Sequence, residues 1–274
     1  CTKFIVIQST FTDAKFISSF VKKFKKPILF ISFKEKRSGG RLRLNSLCGV
    51  NLGLHALIKS KFYSDFIIYT NDEQSFSSEI FKFIKTNNNF TKKNYLKKIN
   101  SKLVNKKIIE FKKPKLGLIG ERPEGFDTCD FNNEELKSKF NAKLAKIKLQ
   151  SLFNISRKVD KKIISVTKKN ISKNLKNTNQ VNQKELNKSI SLFHGLERIQ
   201  QTQNIDAFAV RCWPEMFTEY GCASCGPMAM MNENKISSSC EADVLGSLTC
   251  NILNQLNNKP ALLVDIVDVD EKDN

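Results

Sequence analysis

Two carboxylates near the end of the sequence have the types and spacing of a divalent-cation site. Glu241 lies where a loop enters a predicted helix, and Asp265 lies in the segment that we predict as the next strand. A path through loop, helix and strand returns the chain to the same end of a sheet, so the two carboxylates are expected to converge there. Together they would offer hard oxygen ligands and groups that exchange protons with a bound substrate. The alternative is that Glu241 only marks a helix start and Asp265 an exposed strand face.

The segment between the two carboxylates predicts one helix and one strand. VLGSLTCNILNQL, residues 244 to 256, has apolar residues at the spacing of a helix buried on one face. Pro260 ends this helix, and ALLVDIVDVD (261 to 270) then alternates apolar and acidic residues from Val264 onward, as in a half-buried strand. Asp243 falls in the first helical turn. We expect it to act as a supporting hydrogen-bond acceptor or helix-end charge rather than as a metal ligand.

The rest of the chain shows a strand–helix rhythm twice. Residues 2 to 8 predict a buried strand, and PILFISF (27 to 33) and SDFIIYT (64 to 70) predict two more, with helical segments between them. A polar, basic stretch ends at Pro114, and LGLIG (116 to 120) predicts the strand that opens a second unit.

The second unit continues with the same two kinds of element. Residues 132 to 153 predict a helix, a short strand and another helix, and residues 155 to 190 predict exposed helices. The sheet resumes at NIDAFAVRC (204 to 212).

This organisation predicts an α/β protein with two Rossmann-like three-layer domains whose sheets are mainly parallel. We assign residues 1–113 to an N-terminal α/β domain that is truncated at its start, because the chain opens with Cys1 rather than Met, directly before a predicted strand. Residues 114–255 form the second α/β domain, which carries Glu241. Residues 256–274 begin a β-rich C-terminal domain that carries Asp265 and whose remainder is absent.

Charge and hydropathy exclude two classes of partner. The formal net charge is +19, which on a clustered surface would bind phosphates. The cations are mostly lysines scattered as pairs, without an aromatic RNA-binding signature or a basic helix with heptads, so we interpret them as a solvated surface and expect no nucleic-acid partner. No apolar run approaches the roughly 18 to 20 residues that span a bilayer, and no signal peptide is recognisable. The expectation is a soluble, cytoplasmic protein without a membrane partner.

The cysteines offer one alternative metal site. Cys222 and Cys225 form a CxxC pair, with Cys212 before it and Cys240 after it. Four thiolates could hold a tetrahedral zinc, but a structural zinc ribbon normally uses two close pairs and the sequence has one. We therefore expect reduced thiols and no structural zinc.

The residues around Glu241 resemble the L-fucose isomerase and L-arabinose isomerase superfamily. The resemblance is carried by CEADVLGSLT (240 to 249) followed by NKPALLVDIVDVD. In that family a Glu that opens such a segment and an Asp in the next strand bind a divalent metal, usually manganese, and flank the reacting carbons. The resemblance therefore implies that Glu241 and Asp265 hold Mn²⁺, and their separation matches that in L-fucose isomerase.

Three other stretches extend the resemblance over nearly the whole chain. LGLIGERPEGF (116 to 126) is similar to the strand and loop that open the family's second domain and contact the sugar, and AVRCWPEMFTEYG (209 to 221) is similar to another strand end that lines the pocket. FKEKRSGGRLRLNSLCGVNLGLHAL (33 to 57) matches in place a first-domain loop and helix that reach a neighbouring subunit's active site. The resemblance also implies a homo-oligomer, either a trimer or a hexamer.

Four residues on these stretches are candidates for binding the sugar. Arg122 and Arg211 can donate forked hydrogen bonds to hydroxyl groups, and the indole of Trp213 suits the apolar face of a sugar ring. The alternatives are a surface ion pair for each arginine and a core position for Trp213. Arg41 would reach the adjacent subunit's site, with a solvated loop as its alternative.

One family feature has no counterpart in the sequence. The family's third metal ligand is a histidine in a C-terminal domain, whereas the chain has His55 and His194, both upstream of Glu241. We expect these two histidines to be packed or surface residues. The chain is accordingly expected to be a fragment that lacks the C-terminal domain and is inactive alone.

The function implied by the resemblance is metal-dependent isomerisation of an aldose to a ketose through a cis-enediol. One carboxylate of the pair Glu241 and Asp265 removes a proton from one carbon, and the other helps to return it to the neighbouring carbon. The monosaccharide is open, from a plain or deoxy pentose or hexose to an anionic sugar such as a sulfosugar. The alternative function is a non-catalytic sugar-binding or regulatory α/β protein.

Overall fold

A computed structural model of the protein describes residues 2–35, 43–60, 66–69, 73–85 and 113–268. The chain divides into two compact units. The first contains the described residues up to Lys85, residues 124–128 and the described residues from Val264, and the second contains residues 113–123 and 129–263. Each unit has a parallel sheet with helices, so the predicted α/β fold with mainly parallel sheets is confirmed.

The first unit has a three-stranded sheet in the order β1-β2-β3. Its strands are β1 (Phe4–Ile7), β2 (Ile28–Ser32) and β3 (Phe66–Tyr69). Its helices in the described ranges are α1 (Lys15–Phe24), α2 (Ser46–Lys59) and α3 (Glu73–Lys85). β2 is buried at every residue because helices cover both of its faces. Phe30 packs with residues of α1 and α2, whereas Leu29 and Ile31 pack against Phe83 of α3.

The prediction that residues 2 to 8 form a buried strand is wrong in its burial. β1 forms, but it is an edge strand of the described sheet. Phe4 and Val6 pack against the core cluster of α1 and α2, while Ile5 and Ile7 lie on the other face and are 43% and 61% exposed. An uninterrupted apolar run does not show how many faces of a strand are covered, because this depends on where helices pack.

The second unit has a four-stranded parallel sheet in the order β5-β4-β6-β7. Its strands are β4 (Lys115–Ile119), β5 (Lys143–Ile147), β6 (Ala207–Val210) and β7 (Ser237–Ser239). Its helices are α4 (Asn133–Phe140), α5 (Leu149–Arg157), α6 (Lys161–Asn174), α7 (Gln183–Gln203), α8 (Cys225–Glu233) and α9 (Val244–Asn257). The unit also contains Cys129, the last residue of a 3₁₀ turn (Asp127–Cys129), and a π-helical turn at Met216–Tyr220.

The central strand β6 separates two hydrophobic clusters. Phe208 and Val210 pack into a cluster with residues of α5, α7 and α8. Ala207 and Ala209 pack on the opposite face with residues of α4 and α9. Successive residues of β6 thus alternate between the two clusters, with the period of two of a strand. Helices therefore pack on both faces of this sheet.

The long helical region between β5 and β6 is confirmed as helical. α6 buries no residue, as predicted for an exposed helix, whereas α7 buries one face that includes Ile190 and Leu196. No helix in the described ranges has the length and apolar character needed to cross a membrane.

The strand predicted at residues 261 to 270 is not formed by its described residues, 261–268, which have neither helix nor strand structure. The apolar side chains of this segment are largely exposed, with Val264 at 76% and Ile266 at 59%. A strand exists only when a second strand pairs with it, and apolar–acidic alternation does not specify that partner. Asn258, in the left-handed conformation with φ 53°, ends α9 before Pro260 is reached.

Gly117 of β4 allows close packing in the second sheet. It lies directly opposite Phe208 in the parallel ladder. A Cβ at Gly117 would meet the Phe208 ring at 2.8 Å and the Cγ2 of Ile205 at 3.1 Å, and both of these side chains are buried. We expect Gly117→Ala to lower the free energy of unfolding by roughly 1–3 kcal/mol through this overpacking. Urea unfolding followed by circular dichroism measures the loss.

Gly226→Ala is the matched control for this substitution. Gly226 lies in the exposed first turn of α8, and its added Cβ would meet nothing nearer than the Ser189 hydroxyl at 3.3 Å. A Gly117→Ala protein that is as stable as the Gly226→Ala protein would show that the ring of Phe208 does not constrain position 117.

Candidate active site

The strand order of the second sheet reverses between β4 and β6. From β4 the chain first adds β5 on one side, and it later adds β6 and then β7 on the other side. Ligands of open parallel sheets bind outside the carboxyl ends of the strands where the order reverses in this way. The loops that follow β4, β6 and β7 start at Gly120, Arg211 and Cys240, so they carry the predicted residues Arg122, Arg211, Trp213 and Glu241 to this end of the sheet.

Backbone hydrogen bonds join each of these loops, within its first three residues, to the end of a neighbouring strand. The Gly120 amide donates to the Ile147 carbonyl at 2.9 Å, and the Arg211 amide donates to the Ile119 carbonyl at 2.9 Å. The Ala242 amide donates to the carbonyl of Val210, the last residue of β6, at 3.0 Å. Each loop is therefore fixed to the last residue of a neighbouring strand where it leaves the sheet.

Glu241 lies in a turn of unusual backbone conformation. Glu241 and Ala242 are both left-handed, with φ values of 57° and 55°. For an L-residue this conformation costs about 1–2 kcal/mol. The turn is closed by a hydrogen bond from the Asp243 amide to the Cys240 carbonyl at 3.0 Å, and the methyl group of Ala242 is fully buried. Packing and hydrogen bonds thus hold a conformation that the local sequence does not favour.

Asp243 caps the helix that follows the turn. Its side chain accepts a hydrogen bond from the Gly246 amide at 2.8 Å, which satisfies one of the amides that a helix N-terminus leaves unpaired. The hydroxyl of Ser239 donates to the Asp243 carbonyl at 2.6 Å and ties the cap to the end of β7. The structure thus places Asp243 at the helix end, as an acceptor for helix amides.

Two cysteines contact Glu241. The Cys129 thiol lies 3.8 Å from Oε2 of the Glu241 carboxylate, and the Glu241 amide donates to the sulfur of Cys212 at 3.3 Å. Sequence reasoning missed both contacts, since Cys129 lies 112 positions before Glu241 and no spacing rule connects them. The sequence pattern connects Cys212 only with the CxxC pair.

Arg211 is held by partners within the second unit. Its Nε donates to the Glu215 carboxylate at 2.6 Å, and its Nη1 donates to the Glu121 carbonyl at 3.0 Å. The hydrogen bond from Arg211 lowers the pKa of Glu215, so this carboxylate stays ionised and neutralises the guanidinium charge. Gly120, with φ 77°, lies so close that a Cβ there would be 2.8 Å from the Arg211 Cβ. These contacts agree with the ion-pair alternative for Arg211.

Arg122 and Trp213 are more open to solvent than Arg211. The Arg122 side chain is 30% exposed, and its Nη2 lies 3.9 Å from the Asp130 carboxylate. Trp213 is 49% exposed. The core position that was the alternative for Trp213 is therefore wrong, and Trp213 is a member of neither hydrophobic cluster of the second unit.

Asp265 and Arg41 are not among the described residues of the second unit. Asp265 belongs to the first unit, where it is exposed in the irregular segment after Val264. Its convergence with Glu241 stays a prediction. Arg41 lies outside the described residues. Within the described part of the chain, no three His, Cys, Asp or Glu side chains form a group that could hold a metal ion.

The histidine His194 has a packing role. Its Nε2 lies 2.8 Å from the Thr167 hydroxyl and its Nδ1 lies 2.7 Å from the Glu197 carboxylate, so both ring nitrogens bind neighbouring helices or its own helix. His55 lies in α2 of the first unit and is half-buried. Neither position suggests a ligand.

The CxxC pair has two dissimilar thiols. Cys222 is buried, and the desolvation of its thiolate raises the pKa of Cys222 to about 11. At neutral pH this thiol is protonated and a poor metal ligand. Cys225 is exposed at the start of α8. The absence of a structural zinc stays a prediction.

Comparisons with known proteins show that the chain is similar to proteins named sulfoquinovose isomerase. No protein-family model matches it. It is 31% identical over 267 residues, 97% of the chain, to proteins named sulfoquinovose isomerase from Priestia aryabhattai and Priestia megaterium, and the alignments cover 55% of each relative. A protein of the same name from Alkalicoccus urumqiensis is 28% identical, over 98% of the chain and 57% of that relative. The chain thus spans about half the length of the curated relatives it matches, and nearly all of it is similar to them.

Proposed function

We propose that the chain is part of an aldose–ketose isomerase that acts on sulfoquinovose, a sulfonated aldose. The similarity to sulfoquinovose isomerases over nearly the whole chain supports the reaction and the substrate. The observation that carries the proposal is the position of Glu241. Its half-buried carboxylate lies in a fixed turn at the carboxyl end of a parallel sheet, beside the point where the strand order reverses.

Glu241 and Asp265 are the proposed ligands of a divalent cation, with Mn²⁺ as the ion that the resemblance to the L-fucose isomerase superfamily implies. The donor set fits such an ion, since carboxylate oxygens are the ligands that hard divalent cations prefer. Asp265 is exposed and Glu241 is half-buried, so neither carboxylate is sealed from solvent. When bound, the cation supplies a Lewis acid that polarises the carbonyl and hydroxyl oxygens of the sugar.

The proton transfer falls to the two carboxylates. Isomerisation through a cis-enediol moves one proton between adjacent carbons, so one of Glu241 and Asp265 accepts a proton and the other donates one. The two roles exchange when the reaction runs in reverse. A carboxylate on a fixed turn suits this role, because proton transfer requires hydrogen-bond distance from the reacting carbon.

The two arginines are proposed to play different parts in recognising the sulfonate group. Arg211 is neutralised by Glu215 at 2.6 Å, so its main effect is to hold the loop after β6. Arg122 lies farther from its acidic neighbour, at 3.9 Å from Asp130, and is 30% exposed. Arg122 is the more exposed of the two guanidinium groups, and a guanidinium suits an oxyanion, so the anionic end of the substrate is assigned to Arg122. Trp213 offers its exposed indole to the apolar face of the sugar.

The domain organisation belongs to the same proposal. Two Rossmann-like domains are proposed at residues 1–113 and 114–255, and residues 256–274 are proposed to begin a β-rich domain. The active protein is proposed to be a homo-oligomer.

Replacing Glu241 tests the reaction. In the full-length protein, Glu241→Gln keeps the shape of the side chain but removes a proton acceptor and a ligand charge. We expect kcat/KM for the conversion of sulfoquinovose to its ketose to fall at least about 100-fold. Proton NMR of the sugar mixture measures the conversion, and the melting temperature measures folding.

Glu135→Gln, an exposed position on α4, is the control and should retain full activity. If Glu241→Gln isomerises the sugar at nearly the wild-type rate, the isomerase proposal fails. A wild-type protein that binds sulfoquinovose but never forms a ketose would favour the non-catalytic sugar-binding alternative.

Trp213 is expected to contribute to sugar binding and little to stability. Because it is 49% exposed, Trp213→Ala should change the free energy of unfolding by no more than about 0.5 kcal/mol. Loss of the indole surface should raise the KM about 3- to 10-fold. Phe217→Ala removes another exposed aromatic ring of the same segment, 44% exposed, and should leave KM unchanged. Equal effects of the two substitutions on KM would contradict a specific role for the indole.

Arg122 is expected to discriminate between charged and uncharged sugars. Arg122→Ala should raise the KM for sulfoquinovose about 10-fold or more, because it removes a charge-assisted hydrogen bond, and should change little for glucose. Steady-state kinetics with both sugars give the comparison. Arg198→Ala removes an equal charge from the exposed side of α7 and serves as the control. The assignment of Arg122 is wrong if both sugars lose affinity equally.

A further inference from the structure

We propose that Cys129 and Cys212 are positioning residues that aim the Glu241 carboxylate for the isomerisation. The inference rests on the proposed function, and it adds a role for two thiols that neither the sequence pattern nor the comparisons assign. Cys129 acts on the side chain of Glu241 and Cys212 acts on its backbone.

Cys129 supplies a hydrogen bond to the carboxylate. It is 4% exposed at the end of the 3₁₀ turn Asp127–Cys129, and its Sγ lies 3.8 Å from the Oε2 of Glu241. An ionised carboxylate only accepts hydrogen bonds, so the thiol must be the donor. Since Cys129 is buried, its side chain has few alternative rotamers, and the direction of the bond is fixed.

A thiol is suited to this position because it is a weak donor. A carboxylate offers about four acceptor sites, so one S–H bond orients the group and still allows other ligands to bind. A strong cationic donor such as lysine would instead neutralise the charge and lower the basicity of Glu241. The thiol therefore restricts the orientation of the carboxylate and leaves its charge intact.

Cys212 fixes the backbone of the same residue. β7 ends at Ser239, so the amide of Glu241 lies beyond the ladder that pairs β6 with β7. This amide donates instead to the sulfur of Cys212, at 3.3 Å, in the loop that follows β6. The next amide, that of Ala242, returns to the carbonyl of Val210 at 3.0 Å. Two successive residues of the turn are thus bound to the end of β6.

The two contacts together explain how a turn with two left-handed residues keeps one geometry. The backbone of Glu241 has φ 57°, a conformation that a free loop would leave for a more favourable one. Its carboxylate accepts a hydrogen bond from Cys129, and its amide donates one to Cys212. The side chain and the backbone of Glu241 are therefore both held before a substrate binds. Such preorganisation raises the rate of a step that depends on the direction of a reacting group.

The first test is kinetic and uses the full-length protein. Cys129→Ala removes the donor, and Cys129→Ser restores one of similar size. We expect kcat for sulfoquinovose to fall about 3- to 10-fold in Cys129→Ala with KM nearly unchanged, and to recover to within about twofold in Cys129→Ser. Cys250→Ala deletes an equally buried thiol, also 4% exposed, from α9 and should leave kcat unchanged. Equal kcat values for Cys129→Ala and Cys250→Ala, or a serine variant no better than alanine, would overturn the role of Cys129.

The second test does not depend on catalysis. Residue-resolved hydrogen exchange is measured by NMR on wild-type protein and on Cys212→Ala. Loss of the acceptor should speed exchange of the Glu241 amide about fivefold or more, while the Ala242 amide, bound to Val210, serves as the internal control. A Glu241 amide that does not change, or that changes only in step with Ala242, would overturn the role of Cys212. If the wild-type protein isomerises no sugar, the proposed function fails while the exchange result still decides whether the sulfur holds this turn.

Discussion

The parallel pairing of β4 with β6 is the constraint on which the candidate site depends. This pair joins strands that are far apart in sequence, and its register sets Leu116 against Ala207 and Gly117 against Phe208. The register also brings the ends of the two strands level, so that the loops after them leave the sheet side by side. Because β5 joins β4 on one side and β7 joins β6 on the other, the strand order reverses between β4 and β6, which is where open parallel sheets bind their ligands.

The loops at these strand ends are held by the chain's own groups. Arg211 crosses to the loop after β4 through the Glu121 carbonyl, and the turn that carries Glu241 is bound to the loop after β6 through Val210 and Cys212. Each contact uses a residue within two positions of a strand end. The geometry of the acidic side chain therefore follows from the sheet, and a change in the packing of β6 would move several loops together.

Hydrophobic periodicity accounts for most of the elements that the sequence predicted correctly. The helix after Asp243, the strand at 116 to 120 and the helices between β5 and β6 all have patterns that repeat with the period of their own backbone. The pattern could not show whether helices cover both faces of a strand, or whether a second strand pairs with a segment. Ile5 and Ile7 are exposed although their run is apolar, and residues 261–268 alternate without forming a strand, because both outcomes depend on which other element packs or pairs with the segment.

The sequence by itself determined the kinds of residue at the candidate site and their order in the chain: a glutamate before a helix, an aspartate at the start of that helix, two arginines and a tryptophan at strand ends. Local spacing is sufficient for these, since a cap or strand end is defined by neighbouring positions. The tertiary structure alone decided that Arg211 is neutralised by Glu215, that Trp213 is exposed and that Cys129 reaches Glu241. Distant segments make these contacts only after the sheet has formed, and no periodicity in the chain encodes the distance between them.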